Sequence, residues 1–369
     1  MDFTFSEDQE AFRHSMSRFL MTEAAPEMLR EIWETDGGRS PELRAKIAEQ
    51  GLPALSVPEA EGGMGLGDID WALMTQEIGY YAIPDSLADT AYVAAGILAS
   101  LPEGHALRSA WLPKIADGSA RIAVGHPINP WVADAQLADL LLLAHPTPQG
   151  LALHAVPREQ VELVSLASID ASRRLTRVTW TPSAATEVLA GAAGQVVWDD
   201  ALDRANLNIA GQLIGLAQCM LDRSVDYVTQ RKQFGKVIGS FQAVKHHLAD
   251  VVTLIEFAKP VLYRAVLAMT EGSAHRATLV SHAKLACAEA AWIAGRKGIQ
   301  THGAMGYTWE VDLQMYMKRA WVLDSAWGDR AFHKARLGAA LLQDDFPMGP
   351  AGTLLDTVSS QNKQGSHHG

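Results

Sequence analysis

A mainly α protein with a small β domain at its centre is the fold class the sequence predicts. Three observations predict it. Apolar residues recur at helical spacing over about residues 1–119, short apolar runs broken by turn residues fill 120–192, and four long helix-periodic segments occupy most of 193–345. The result is an N-terminal helical domain, a small middle β domain and a C-terminal four-helix bundle. Segregating strands from helices in this way argues against alternating βαβ units. No Gly-x-Gly-x-x-Gly follows a strand-like run, so a Rossmann crossover does not hold any nucleotide this chain binds.

The first helix has a start signal in Ser6, an N-cap followed by Asp8 and Glu10, with Phe12, Phe19, Leu20 and Met21 behind it. Leu43, Ile47 and Leu52 continue the helical pattern until Gly51 and Pro53 break it. A Gly-rich loop spans 61–68, and helix resumes through Trp71, Leu73, Met74 and Ile78. Pro84 interrupts, and the Ala-rich stretch 88–100 predicts a buried helix. The middle runs, 121–124, 137–144, 151–156, 161–166 and 175–180, are punctuated by Pro127, Pro130, Pro146, Pro148 and Pro157, which predicts an antiparallel domain. Segments 200–230, 240–270, 275–299 and 310–342 have bundle lengths. The Gly, Ser and Gln content of 346–369 predicts a mobile tail.

Composition narrows the function. With 31 basic against 42 acidic residues the 369-residue chain carries a net charge of −11, which excludes non-specific nucleic-acid binding and a polybasic membrane surface. The N-terminus has no basic, then apolar, leader pattern. The strongest apolar run, 137–144, is far short of the ~20 residues of a membrane span. A soluble cytoplasmic protein is expected. Cys219 and Cys287 fit no zinc spacing and read as buried apolar side chains. His246, His247, His275 and His282 lack acid or Cys neighbours for a metal set. Trp292, Trp309, Trp321 and Trp327 read as helix-face core or interface residues, and Lys318-Arg319 as a solvated face.

Two stretches carry chemistry. In 231–242 an Arg ends one helix, a Gly-containing turn follows, and Gln242 opens the next helix. The Arg231 guanidinium suits two phosphate oxygens, and the free N–H groups of a helix start favour the same charge. In 300–310 the small residues Gly303, Ala304 and Gly306 let a ligand approach the backbone. Singly, each is also what an ordinary helix hairpin or helix-ending turn looks like.

Together they resemble the acyl-CoA dehydrogenase family. Arg231, Gln233, Phe234, Gly235, Ile238, Phe241 and Gln242 complete that family's Arg-x-Gln-Phe-Gly-x-x-Ile-x-x-Phe-Gln signature. Gln300, Gly303, Gly306 and Tyr307 match its Gln-x-x-Gly-Gly-x-Gly-Tyr signature, with Ala304 replacing the second Gly. Pro58, Glu59, Gly62, Gly63 and Gly65 look like its Pro-Glu-x-x-Gly-Gly-x-Gly loop. The resemblance spans about 1–342 and implies FAD as cofactor. It also implies that Arg231 binds the diphosphate, Phe234 packs by the adenine, Gln242 holds the adenosine part, and Gln300, Gly303, Ala304 and Gly306 line the diphosphate. In the family this cradle serves the flavin whose ring sits in a second subunit.

The family's catalytic base is missing from both of its places. In the Tyr-Glu-Gly-Thr-like segment Gly328 stands where Glu is expected and Asp329 follows one position late. The other place reads Ala205-Asn206-Leu207-Asn208-Ile209, with Asp203 and Arg204 out of register. The flavin-contacting strand of the middle domain is replaced by Ile122–Pro127, and its hairpin is shortened. The resemblance therefore implies the small, base-lacking subunit of an α2β2 acyl-CoA dehydrogenase, in which a larger homologue supplies base and ring site. Bulky acyl-CoA thioesters of the steroid side-chain type are the implied substrates, and an electron-transfer flavoprotein the implied acceptor. Two alternatives remain open in the sequence: a self-sufficient homo-oligomer with Asp329 as base, and a non-catalytic interaction subunit or other flavin oxidase relative.

Overall fold

The structure is a computed structural model that describes residues 3–343 together with Phe346 and Leu354. It begins with α1 (Glu7–Glu23), whose N-cap Ser6 forms a full capping box with Gln9. Next come α2 (Pro26–Glu34) and α3 (Pro41–Glu49), both opened by a Pro that suits the first helical turn. After the Gly-rich loop come α4 (Asp68–Tyr80), a π-helical turn (Asp89–Ala94) that runs into α5 (Ala95–Ala99), and α6 (Ala106–Ala116). The 88–100 stretch is buried as expected, but its first half winds as π rather than α helix.

The middle domain has seven strands, β1 (Ile122–Gly125), β2 (Trp131–Ala133), β3 (Leu140–Thr147), β4 (Gly150–Pro157), β5 (Glu162–Leu166), β6 (Leu175–Thr179) and β7 (Glu187–Leu189). They form two sheets, ordered β1-β3-β4-β7 and β2-β6-β5. One expectation is corrected: β1 pairs with β3 in parallel, Ile122 opposite Leu140, because the 126–139 connection crosses to the second sheet through β2 before returning. The first sheet is buried on both faces. Ile122, Val124, Leu140 and Leu142 join the main core, while Ala123, Leu141 and Leu143 pack with Val132 and Val156 between the sheets. Two-sided burial explains the unbroken apolar run of β3.

The bundle starts with α7 (Gly191–Gln230), 40 residues and so about 60 Å long. A two-stranded turn, β8 (Lys232–Gln233) and β9 (Lys236–Val237), leads to α8 (Gln242–Thr270) and α9 (Arg276–His302). The expected helix 310–342 is two helices, α10 (Leu313–Ser325) and α11 (Arg330–Leu341). The break is at Trp327 and Gly328, whose φ values of +56° and +98° no helix accommodates. α4 lies close against α7: a Cβ on Gly79 or Gly215 would come within 3.0 Å of Gln212 or Gln76 backbone.

Buried ion pairs join the three domains. Arg39 pairs with Asp134, Arg121 bridges Asp85 and Asp134 at 3.1 Å each, and Arg44 reaches Asp85 at 2.7 Å. Arg319 corrects the solvated-face reading: it is buried, pairs with Asp170 and Ser172, and donates to the Ile83 carbonyl at 2.9 Å. Lys318 lies 3.8 Å over the Trp309 ring. Trp327 is buried in a turn rather than on a helix face, and Trp309 is exposed. Cys219 and Cys287 are both buried, and burial raises both thiol pKa values, that of Cys219 to about 11. Among the described residues no helix is long and apolar enough to cross a membrane. The expectation for 346–369 lies, Phe346 and Leu354 apart, outside the described residues; Leu354 packs against the main core.

Candidate functional site

The antiparallel run of α7, α8 and α9 brings three chemical termini to one end of the bundle: the C-terminus of α7, the N-terminus of α8 and the C-terminus of α9. Stacking of Tyr227 on His302, centroids 4.2 Å apart, ties α7 to α9 there, and His302 Nδ1 donates to the Gly298 carbonyl at 2.8 Å. Arg231 caps α7. Its backbone N–H donates to Tyr227 and its carbonyl accepts from Ile238, both at 2.9 Å. Its guanidinium is exposed and forms no ion pair or hydrogen bond among the described residues.

Beyond Arg231 the chain turns through Phe234 and Gly235, at φ +54° and +81°, the two central residues between the paired Gln233 and Lys236. Two consecutive left-handed residues are what a tight primed hairpin demands, and Gly235 meets the demand without cost. Phe234 meets it at a cost and is 89% exposed. A large apolar ring held out into water by a rigid turn is a feature to be covered by something. Gln242 is the exposed first residue of α8, whose N-terminal N–H groups have no side-chain cap.

At the end of α9, Gln300 is exposed and Gly303 turns the chain at φ +63°. A Cβ there would meet nothing within 4 Å, so its backbone is open to a ligand. Ala304 is exposed beside it, so the extra methyl relative to the family's Gly points where there is room. Gly306 is buried, and a Cβ would stand 2.8 Å from the Ile299 carbonyl, so its missing side chain serves internal packing. An unpaired guanidinium, free helix N–H groups, bare backbone and a displayed aromatic ring fit a diphosphate joined to a purine. The cradle is open on its outer side.

The centre, where the resemblance puts the base, is closed. Trp327 is 2% exposed, and its N–H donates to Asn129 Oδ1 at 3.2 Å. Its ring lies 6.0 Å from that of His126, which lies 5.6 Å from Trp198. The segment after β1 and the turn between α10 and α11 therefore touch directly. Lys284 Nζ donates to the Ala326 carbonyl at 2.7 Å, and His333 Nδ1 bonds Ser281 at 3.1 Å. Burial lowers the pKa of Lys284 to about 7, of His126 to about 4 and of His333 to about 3, the last with help from Lys284 and Arg336. At Gly328 a Cβ would come closer than 3.0 Å to Phe332 and 3.1 Å from His333 Nε2.

Asp329 is exposed, and its Oδ1 accepts from the Phe332 N–H at 2.8 Å as the N-cap of α11. Asp203 is buried and faces Arg336 at 2.8 Å and Arg276 at 3.5 Å. Sequence reasoning gave no role to Asn129 or Lys284, and read His126 only as part of Ile122–Pro127 and Trp327 only as a core or interface residue. His126 follows the apolar run Ile122–Gly125, where a polar residue needs an explanation, and that was the available signal.

A flavoprotein of helical, β and helical domains is the class that the fold defines. The chain belongs to the acyl-CoA dehydrogenase family, whose cofactor is FAD. The family's N-terminal domain matches residues 6–119 and its C-terminal domain residues 193–342. Acyl-CoA dehydrogenase IpdE2 of Mycobacterium tuberculosis is 32% identical over 317 residues, 85% of this chain and 91% of that protein. The probable acyl-CoA dehydrogenase YngJ of Bacillus subtilis is 24% identical over 93% of this chain and all of its own length. In fold, the chain resembles one chain of the ChsE4-ChsE5 complex from Mycobacterium tuberculosis, with TM-score 0.82 and 22% identity over 94% of this chain and 100% of that one. It also resembles a variant of the Tcur3481-Tcur3483 steroid acyl-CoA dehydrogenase, with TM-score 0.80 and 23% identity over 90% and 97%.

Proposed function

We propose that this chain is the base-lacking subunit of a heteromeric acyl-CoA dehydrogenase. Arg231, Phe234, Gln242, Gln300, Gly303 and Ala304 hold the ADP half of an FAD whose ring belongs to a larger homologous partner. Bound FAD supplies the acceptor for the hydride leaving the β carbon of an acyl-CoA thioester. This chain's own part would be binding and orientation: Arg231 would hold the diphosphate, the start of α8 would add N–H donors, and Phe234 would cover the purine. The partner contributes the carboxylate that removes the α proton. Asp329 caps a helix and takes no part in proton transfer.

One observation carries the reading. The chain's own centre is filled by Trp327, His126 and Trp198 and leaves no room for a side chain at Gly328, while its cradle is open and its guanidinium unpaired. The two-protein name of the ChsE4-ChsE5 structural neighbour supports a heteromeric assembly, for which we propose α2β2, and the steroid enzyme among the structural neighbours supports a bulky, ring-bearing acyl group. An electron-transfer flavoprotein is the proposed acceptor. Co-expression with a larger homologue tests all of this: flavin per subunit is measured, then acyl-CoA-dependent flavin bleaching with and without this chain. About one FAD per pair of unlike subunits, bleached only in the complex, is expected. One FAD per copy of this chain alone, bleached by acyl-CoA, defeats the proposal.

A further inference from the structure

A cavity of about 300 Å³ opens between the end of α1, the end of α4, the second half of α7 and α10. No residue of the sequence signatures lines it. Much of its wall is aromatic. Tyr80 and Tyr81 meet edge to face with ring centroids 5.0 Å apart, and the buried Tyr316 lines the cavity as well. The exposed Met21 and the half-buried Ala25 and Pro26 add apolar wall. A space of this size with apolar walls and a few polar groups has the make-up of a small-molecule site.

Its polar groups set the sign of the charge it suits. Asp222 and Asp226 stand one turn apart on α7 and both line the cavity. The Asp222 carboxylate accepts from two neutral donors, the Tyr80 hydroxyl at 2.9 Å and the Gln218 amide at 2.9 Å. The Asp226 carboxylate has no hydrogen bond or ion pair among the described residues. Arg223, the cation in the lining, is engaged elsewhere: it donates to Asp312 at 3.2 Å and to the Tyr316 hydroxyl at 2.9 Å, and its guanidinium lies 4.6 Å over the Tyr316 ring. It pairs with neither Asp222 nor Asp226. Like charges one turn apart on a helix repel, so the pair favours a counter-cation, and the tyrosine rings beside it attract organic cations in particular. Burial and Asp222 together raise the Tyr80 pKa, so the phenol keeps its proton, donates to Asp222 and leaves its oxygen lone pairs as acceptors.

We propose that this cavity binds a small organic cation, a primary alkylammonium whose charged end lies between Asp222 and Asp226 and whose carbon chain runs along the tyrosine and Met21 walls. The three N–H groups of an ammonium match the three acceptors on offer, the two carboxylates and the Tyr80 oxygen. The inference goes beyond the proposed dehydrogenase role and does not rest on the FAD cradle.

The test uses the full chain in whatever complex it purifies with, titrated at neutral pH and matched ionic strength and followed by ligand-observed NMR. The probes are n-pentylammonium chloride and n-pentanol, a neutral chain of the same length. The ammonium is expected to bind about tenfold or more tighter than the alcohol, at one site per copy of this chain. Asp222→Asn and Asp226→Asn each reduce that preference roughly threefold or more, and Tyr81→Leu weakens ammonium binding as well. An ammonium that binds no tighter than the alcohol overturns the proposal. So does a preference unchanged in both Asp variants, which is what diffuse attraction to an acidic surface would give. Asp226 is exposed and outside every side-chain contact among the described residues, so its variant is expected to fold. Should Asp222→Asn fail to fold, Asp226→Asn decides alone: a reduced preference supports the site, and an unchanged one overturns it.

Discussion

Restoring the family's acid at Gly328 is the sharpest perturbation available. Gly328 is buried at φ +98°, a conformation an L side chain reaches at a cost of about 1–2 kcal/mol. A Cβ there also overlaps Phe332 and crowds His333, and overpacking of this kind costs about 1–3 kcal/mol. Gly328→Ala is therefore expected to destabilise by about 3 kcal/mol. For a unit the size of the bundle that lowers Tm by about 6–12 °C. Gly328→Glu costs at least as much, since it adds a larger, charged side chain where even a Cβ overlaps the Phe332 ring. Thermal unfolding followed by helical circular dichroism reads the stability, and acyl-CoA-dependent flavin bleaching reads the chemistry. Both variants should melt early, and Gly328→Glu alone should not bleach flavin. A Gly328→Glu chain as stable as the parent, binding its own FAD and reducing it with acyl-CoA, would refute the argument that the centre is closed.

Other outcomes follow from the same geometry. Arg231→Ala removes a charge-assisted pair worth about 1.5–3 kcal/mol, so FAD should dissociate from the complex roughly 10- to 100-fold more readily while Tm of the unliganded chain stays put; flavin retention on gel filtration checks it. Arg39→Ala leaves Asp134 buried with only Arg121 and Ser86 and should cost about 3–5 kcal/mol, read by urea unfolding. His126 and His333 have folded-state pKa values pulled below the unfolded value near 6.5, so the unfolded chain binds more protons and stability falls as pH drops below about 6.5. Each contributes about 1.4 kcal/mol per pH unit down to pH 4, and His126→Gln should roughly halve that slope. Asp89 works the other way: its raised pKa means stability is gained as pH falls through about 6, and Asp89→Asn should remove that gain.

How much of this was legible beforehand varied with the range of the interaction involved. The N-cap at Ser6 and the C-terminal end of α7 at Gln230 were readable because caps and periodicity are local, whereas α7 begins nine residues before the 200 expected for it. The break at Trp327 was not. Nothing in Ala326-Trp327-Gly328-Asp329 forbids continuing a helix apart from one Gly, and the turn is held by Asn129, 198 residues away. The parallel β1–β3 pair was misread because strand direction depends on where a connection goes rather than on what the strands contain. Arg319 looked like surface because its partner, Asp170, belongs to another domain.

The sequence by itself determined the helical, β, helical order and the two contiguous signatures at 231–242 and 300–307, because turn chemistry and periodicity act over a few residues. Only the tertiary structure decided which of those residues are exposed, as Arg231, Gln300 and Gly303 are, and which, like Gly306, are packed inside. It also decided that the centre is shut. Closing it takes side chains from β1's end, α7 and the α10–α11 turn, segments far apart in the chain, and burial, charge balance and steric room become properties of a residue only after such segments meet.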